Sequence, residues 1–151
     1  MAQQQDWRFC QKCSNMTFNV GPGVGVCLAG GDHEPQGFNF HLPFGGPEGA
    51  KTERHFFFCN ACHCMFQNKD FGSGDDLGGC AAGGQHDRRN SLEFVLPHDT
   101  PVPDGQDKWV VCVNCHVLFF GPADLRHCTK STLGHNPGQG NIPIFNLPHR
   151  E

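Results

Sequence analysis

Residues 59–64 read CNACHC, three cysteines and a histidine in six positions. Three chemistries use such a cluster. CxxCH is the attachment motif for c-type haem. CxxC supplies half of a structural zinc site. A cysteine beside a histidine can be a nucleophile with its base. The surrounding chain decides between them.

CxxC recurs twice more, at Cys10 with Cys13 and at Cys112 with Cys115. Each pair is followed by one further cysteine and a histidine: Cys27 and His33, Cys80 and His86, Cys128 and His135. Only Cys64 falls outside this scheme. The flanks repeat as well. An aromatic residue precedes each pair (Trp7, Phe56, Trp109), and an aliphatic one follows it (Met16, Met65, Leu118). Each unit closes on an extended run ending in Leu-Pro, at 38–43, 92–97 and 144–148. Three units of one domain spanning 1–151 follow, at about 4–43, 54–97 and 107–148.

WRFC, HFFFC and KWVVC are aromatic and β-branched, so each reads as a strand that ends in a CxxC knuckle, with a short return strand beyond. The proline is expected to stop each Leu-Pro strand. No stretch has the periodicity of an amphipathic helix. The expected fold class is all-β: three zinc-stabilised β-hairpin repeats with pseudo-threefold symmetry, trefoil-like or prism-like, with little or no helix.

Zinc fits every unit. It takes four ligands, and three thiolates with one imidazole are a common structural set. The expected ligands are Cys10, Cys13, Cys27 and His33; Cys59, Cys62, Cys80 and His86; and Cys112, Cys115, Cys128 and His135, for three zinc ions per chain. In the third unit His127 competes with His135. Haem fails on the first unit, where Ser14 stands in the histidine position. Disulfides fail on parity, since three cysteines cannot pair off within a unit. A nucleophilic Cys64, paired with His63 or His55, competes with a small buried residue beside the knuckle. Neighbours on a strand face opposite ways, which favours the buried reading and leaves His63 and Cys64 as bystanders. Composition points the same way. The chain is 37% hydrophobic with 20 glycines and 11 prolines, so its thin core needs staples. Metal binding supplies that folding energy.

The first unit resembles a Cys-rich repeat of the W-x2-C-x-K-C-x2-(L/M)-x-F…C-x-A-G-G-x-H type, found in tandem copies. The match runs through Trp7, Cys10, Lys12, Cys13, Met16, Phe18, Cys27, Ala29, Gly30, Gly31 and His33. The second unit matches best in its second half, CAAGGQH, and the third lacks the AGG. The resemblance covers nearly the whole chain. It implies a zinc-bound β repeat and transfers no activity.

A closed zinc site has no open position for chemistry, so function is expected at the surface and in the loops, not in an enzyme active site. Carbohydrate is the leading ligand class. Carboxylates accept hydroxyl hydrogen bonds and aromatic rings pack on sugar C–H faces. Asp70, Phe71, Asp75 and Asp76 in one loop, and Asp124 and His127 in another, are the candidates. Glu34, Asn39 and His41 are further ones. A zinc-scaffolded protein-interaction module is the alternative, ahead of a hydrolase built on the spare histidines (His41, His55, His63, His98, His116, His127, His149). A nucleic-acid binder is disfavoured by 11 basic against 15 acidic residues and by the lack of any basic cluster beyond Arg88-Arg89. No apolar run is long enough to span a membrane. MAQQQDW carries no export leader, which predicts a cytoplasmic, thiol-reducing setting, with non-classical secretion as the other route.

Overall fold

The aromatic runs ahead of the CxxC pairs form strands, as their composition dictates. The computed structural model describes residues 2–18, 27, 33–46, 49–68, 80, 83–89, 91–113, 115–121 and 142–150. Among these residues the nine strands are β1 (Ala2–Cys10), β2 (Met16–Phe18), β3 (Pro35–Phe44), β4 (Thr52–Phe58), β5 (Met65–Gln67), β6 (Phe94–Pro97), β7 (Gly105–Val111), β8 (Leu118–Phe120) and β9 (Phe145–Arg150). The fold is all-β, with no helix among the described residues.

Three hairpins carry the knuckles. In β1–β2, Trp7 lies opposite Phe18 and Phe9 opposite Met16. In β4–β5, Phe56 lies opposite Gln67 and Phe58 opposite Met65. In β7–β8, Trp109 lies opposite Phe120 and Val111 opposite Leu118. The other edge of each long strand pairs with a Leu-Pro strand, and here the register slips. Gln4 faces Leu42 but Trp7 faces Phe40. Glu53 faces Leu96 but Phe56 faces Phe94. Gln106 faces Leu147 but Trp109 faces Phe145. Each slip is a bulge with a left-handed residue in it: Asp6, His55 and Lys108, at φ 72°, 74° and 73°. Each bulge re-aims the next aromatic into the core.

That core is Trp7, Met16, Phe40 and Leu42, with Phe56, Met65, Phe94 and Leu96, and with Trp109, Leu118, Phe145 and Leu147, all but fully buried. The buried indoles keep their N–H bonds: Trp7 Nε1 donates to Gln4 Oε1 at 2.9 Å, and Trp109 Nε1 to Gln106 Oε1 at 3.1 Å. Bridges close both ends. Thr17 pairs with Cys64, Phe66 with Val117 and Asn15 with Phe119 at one end. Phe44 pairs with Phe94, Phe40 with His149 and His98 with Phe145 at the other. The sheet is a nearly closed, barrel-like wrap.

One sequence expectation is corrected. Proline does not end the Leu-Pro strands in β3 and β9. Pro43 pairs with Gln3 and Phe44 goes on to pair with Ala2. Pro148 pairs with Gly105, and the strand continues to Arg150. Proline removes one donor, whereas its carbonyl and its neighbours' groups still bond.

Candidate metal centres

Each CxxC folds into the same closed knuckle. Ser14 N donates to Cys10 O at 2.8 Å and Cys10 N to Asn15 O at 3.0 Å. His63 N donates to Cys59 O at 2.8 Å and Cys59 N to Cys64 O at 3.0 Å. His116 N donates to Cys112 O at 2.9 Å and Cys112 N to Val117 O at 3.0 Å. The residue after the second cysteine is left-handed in all three, with φ 69° at Ser14, 66° at His63 and 68° at His116. That reversal seats both thiols of a pair side by side. In CNACHC, then, His63 is the turn residue.

Two four-ligand sets assemble on these knuckles: Cys10, Cys13, Cys27 and His33, and Cys59, Cys62, Cys80 and His86. All eight residues are buried, and the ligand atoms of each set lie within 4.8 Å of one another. Cys10 Sγ is 3.8 Å from Cys27 Sγ, and Cys59 Sγ is 3.7 Å from Cys80 Sγ. Cys13 Sγ is 3.6 Å from His33 Nδ1, and Cys62 Sγ is 3.5 Å from His86 Nδ1. A zinc tetrahedron with bonds of about 2.3 Å to sulfur and about 2.0 Å to nitrogen has edges of about 3.8 Å and about 3.6 Å. The two sets therefore match a zinc ion in size as well as in donor type. A disulfide needs sulfurs about 2.05 Å apart, and the nine described cysteines are unbridged.

The surroundings suit thiolates. Glu34 N donates to Cys10 Sγ at 3.4 Å, Asp87 N to Cys59 Sγ at 3.4 Å, and Cys62 N to Cys59 Sγ at 3.5 Å. Each imidazole turns Nδ1 to the sulfurs and Nε2 away. His33 Nε2 donates to Cys62 O at 2.7 Å, and His86 Nε2 to Cys115 O at 3.0 Å. That bond puts the proton on Nε2 and leaves the Nδ1 lone pair free for metal. Phe66 stacks on the His86 ring, 4.6 Å between centroids and 17° from parallel.

Without metal, protons are shared unequally. The Cys13 thiol bonds to Cys10 and draws its pKa down to about 3. The same bond, with Cys27 and burial, raises Cys13. Cys62 and Cys80 likewise lower Cys59, and Cys62 is raised by Cys59. Burial disfavours a charged His33, but the Cys10 thiolate and the Cys62 carbonyl outweigh it and raise its pKa. Each set thus pairs one ready thiolate with a tightly held proton that a dication can displace.

Cys112 and Cys115 form the third knuckle and are buried. Cys128, His135 and His127 lie outside the described residues, as do Asp70, Phe71, Asp75, Asp76 and Asp124. Cys64 is buried and belongs to neither set. It is the small buried residue beside the knuckle that the sequence favours: its Sγ lies 3.7 Å from His33 Nε2, not beside His63 or His55, and accepts from Asn15 Nδ2 at 3.4 Å. Other candidates are occupied within the fold. Glu34 accepts from Gln11, and Asn39 exchanges bonds with Asp6. His55 Nδ1 lies 2.9 Å from Glu93, and His149 stacks on Phe38. Arg89 is chelated by Asp87, and Arg88 lies over the Phe57 ring. Compared with protein-family models, curated proteins and solved structures, the chain matches none.

Proposed function

We propose that the chain is a non-enzymatic binding module of three repeats, each stapled by one zinc ion, with carbohydrate as its ligand class. The observation that carries the scaffold role is the buried Cys3His set. Four protein ligands fill a tetrahedron, whereas catalytic zinc keeps a position open. Thiolate-rich sets with imidazole favour zinc over harder cations.

The threefold reading is supported by cyclic contacts. Phe18 N donates to His63 O, Gln67 N to His116 O, and Phe120 N to Ser14 O, at 2.9, 2.9 and 3.0 Å. The hairpin registers, bulges and core quartets recur in step with them. By the same logic the third knuckle takes a third zinc, with Cys128 and His135 as the remaining ligands and His127 as the competing imidazole.

A groove of about 230 Å³ supports the ligand class. Phe9, Phe38, Phe40 and Phe120 line it with the amides of Gln36 and Gln106, the ring-and-amide combination that suits a sugar. The loop residues Asp70, Phe71, Asp75, Asp76, Asp124 and His127 remain part of this proposal, as does a reducing, cytoplasmic setting. A zinc-scaffolded protein-interaction module is the second reading, favoured by the mainly apolar lining of that groove.

A glycan array probed with zinc-loaded protein tests the ligand class. Selective signal that is lost in Gln36→Ala or in Asp75→Ala/Asp124→Ala supports it and locates the site. Silence across the array overturns it.

A further inference from the structure

The imidazole of one metal set is held by a ligand residue of the next. His33 completes the first set through Nδ1, while its Nε2 donates to the carbonyl of Cys62, whose sulfur is a ligand of the second set. His86 completes the second set in the same way and reaches the carbonyl of Cys115 in the third knuckle. Neither imidazole faces water: His33 is 4% exposed and His86 is 2% exposed. The accepting carbonyl of Cys62 lies in the knuckle itself, one peptide before the left-handed His63 and inside the turn closed by His63 N and Cys59 O.

We propose that these imidazole–carbonyl bonds couple the metal sites, so that loading the second site tightens metal binding at the first. The inference rests on reading both Cys3His sets as metal sites. Its logic is that of an outer-shell partner. A hydrogen bond to the far nitrogen fixes the tautomer and the ring angle of a metal-ligating histidine. For His33 that partner is a peptide group whose position depends on the Cys59–Cys62 knuckle. Metal at the second site pins the knuckle through both sulfurs and so presents the carbonyl where His33 needs it. Without that metal the turn relaxes, and His33 must give up its partner or pay to order the turn alone. Linkage makes the effect reciprocal, so metal at the first site strengthens the second by the same factor. The coupling element is the knuckle, with a pinned and a relaxed arrangement that both sites bias.

The test uses the full chain with zinc as the probe, its affinity at the first site read by competition with a chromophoric chelator. Cys59→Ser/Cys80→Ser removes the second site. It should weaken zinc at the first site by about 10-fold or more, the usual loss when an outer-shell partner fails. His33→Cys keeps four ligands at the first site but removes the Nε2 donor. In that background the same pair of substitutions should change first-site affinity by less than about 3-fold, because the outer-shell link is already gone. Equal weakening in both backgrounds, or none in the first, overturns the coupling. If the serine variant does not fold, native mass spectrometry of the unaltered chain at one equivalent of zinc decides. Coupled sites leave mainly empty and fully loaded chains, whereas a statistical spread of partly loaded chains overturns the proposal. Absence of any zinc-bound chain removes the metal assignment itself, an outcome distinct from independent binding.

Discussion

Ser14, His63 and His116 hold the same left-handed backbone one residue after the second cysteine of each knuckle. A side chain there costs roughly 1–2 kcal/mol against an ordinary conformation. The pay-back is local, since that turn places two sulfurs on one side and leaves a carbonyl for a neighbouring strand. His63→Gly should therefore leave the zinc content unchanged and move stability by no more than about 1 kcal/mol, strain relief offsetting backbone entropy. Cys62→Ser should lose one zinc. Elemental analysis and urea midpoints on the two variants separate turn residue from ligand. A second residue-scale case is Glu93. Arg54, and then His55, hold its carboxyl below the usual range. A lowered folded pKa means that the stability it adds is full above its unfolded value near pH ~4.3 and is lost as pH falls through the lower folded value. Glu93→Gln should cost less than about 1 kcal/mol at pH 7, because the pair is only partly buried and solvent screens it. That difference from the parent should shrink in paired urea melts as pH falls below about 4.3. The eight residues that cluster in the two Cys3His sets were legible in the sequence because CxxC spacing, with a further Cys and His, names them by residue type. The role of His63 was not legible, because Ser and His can both take a left-handed turn and neither announces it. Nor was the bond from His33 to Cys62, since no local spacing encodes which distant carbonyl an imidazole will reach.

At the scale of elements, the bulges at Asp6, His55 and Lys108 decide which aromatics are buried. Each shifts the register so that Trp7, Phe56 and Trp109 face Phe40, Phe94 and Phe145 across the sheet. Phe94 sits edge-on to Trp7 with ring centroids 5.4 Å apart and is 1% exposed. Phe94→Ala should cost about 3–5 kcal/mol, the usual price of a large buried ring. Leu92→Ala, at a residue 38% exposed, should stay within about 0.5 kcal/mol. Urea denaturation of zinc-loaded variants measures both. Strands and hairpins were legible from aromatic and β-branched runs. The bulges were not, because a one-residue slip leaves no mark in a run that is apolar on both faces. The prolines misled for a related reason. Their missing donor argues for a strand end, yet Pro43 and Pro148 lie within continuing ladders whose other groups are satisfied.

For the whole molecule, the proposed zinc staples make stability and metal one quantity. Only 37% of the residues are hydrophobic, and the two described sets tie the knuckle cysteines to positions 14 to 27 residues further along. Structural zinc typically contributes on the order of 10 kcal/mol or more, comparable to the whole stability of a small domain. Chelation should therefore unfold the chain cooperatively, with loss of its near-ultraviolet circular dichroism, and zinc should restore it. Binding should also release protons at neutral pH, because Cys13 and Cys62 hold theirs above the ordinary thiol range until a dication displaces them. Zinc affinity should thus rise with pH and fall in acid, as calorimetry in buffers of different ionisation enthalpy would register. The measurement that tests the central claim most directly is native mass spectrometry of the chain purified without chelators. The account predicts a folded charge-state distribution carrying three zinc ions, two of them bound by the sets at His33 and His86. A folded, metal-free chain of unaltered mass would contradict it.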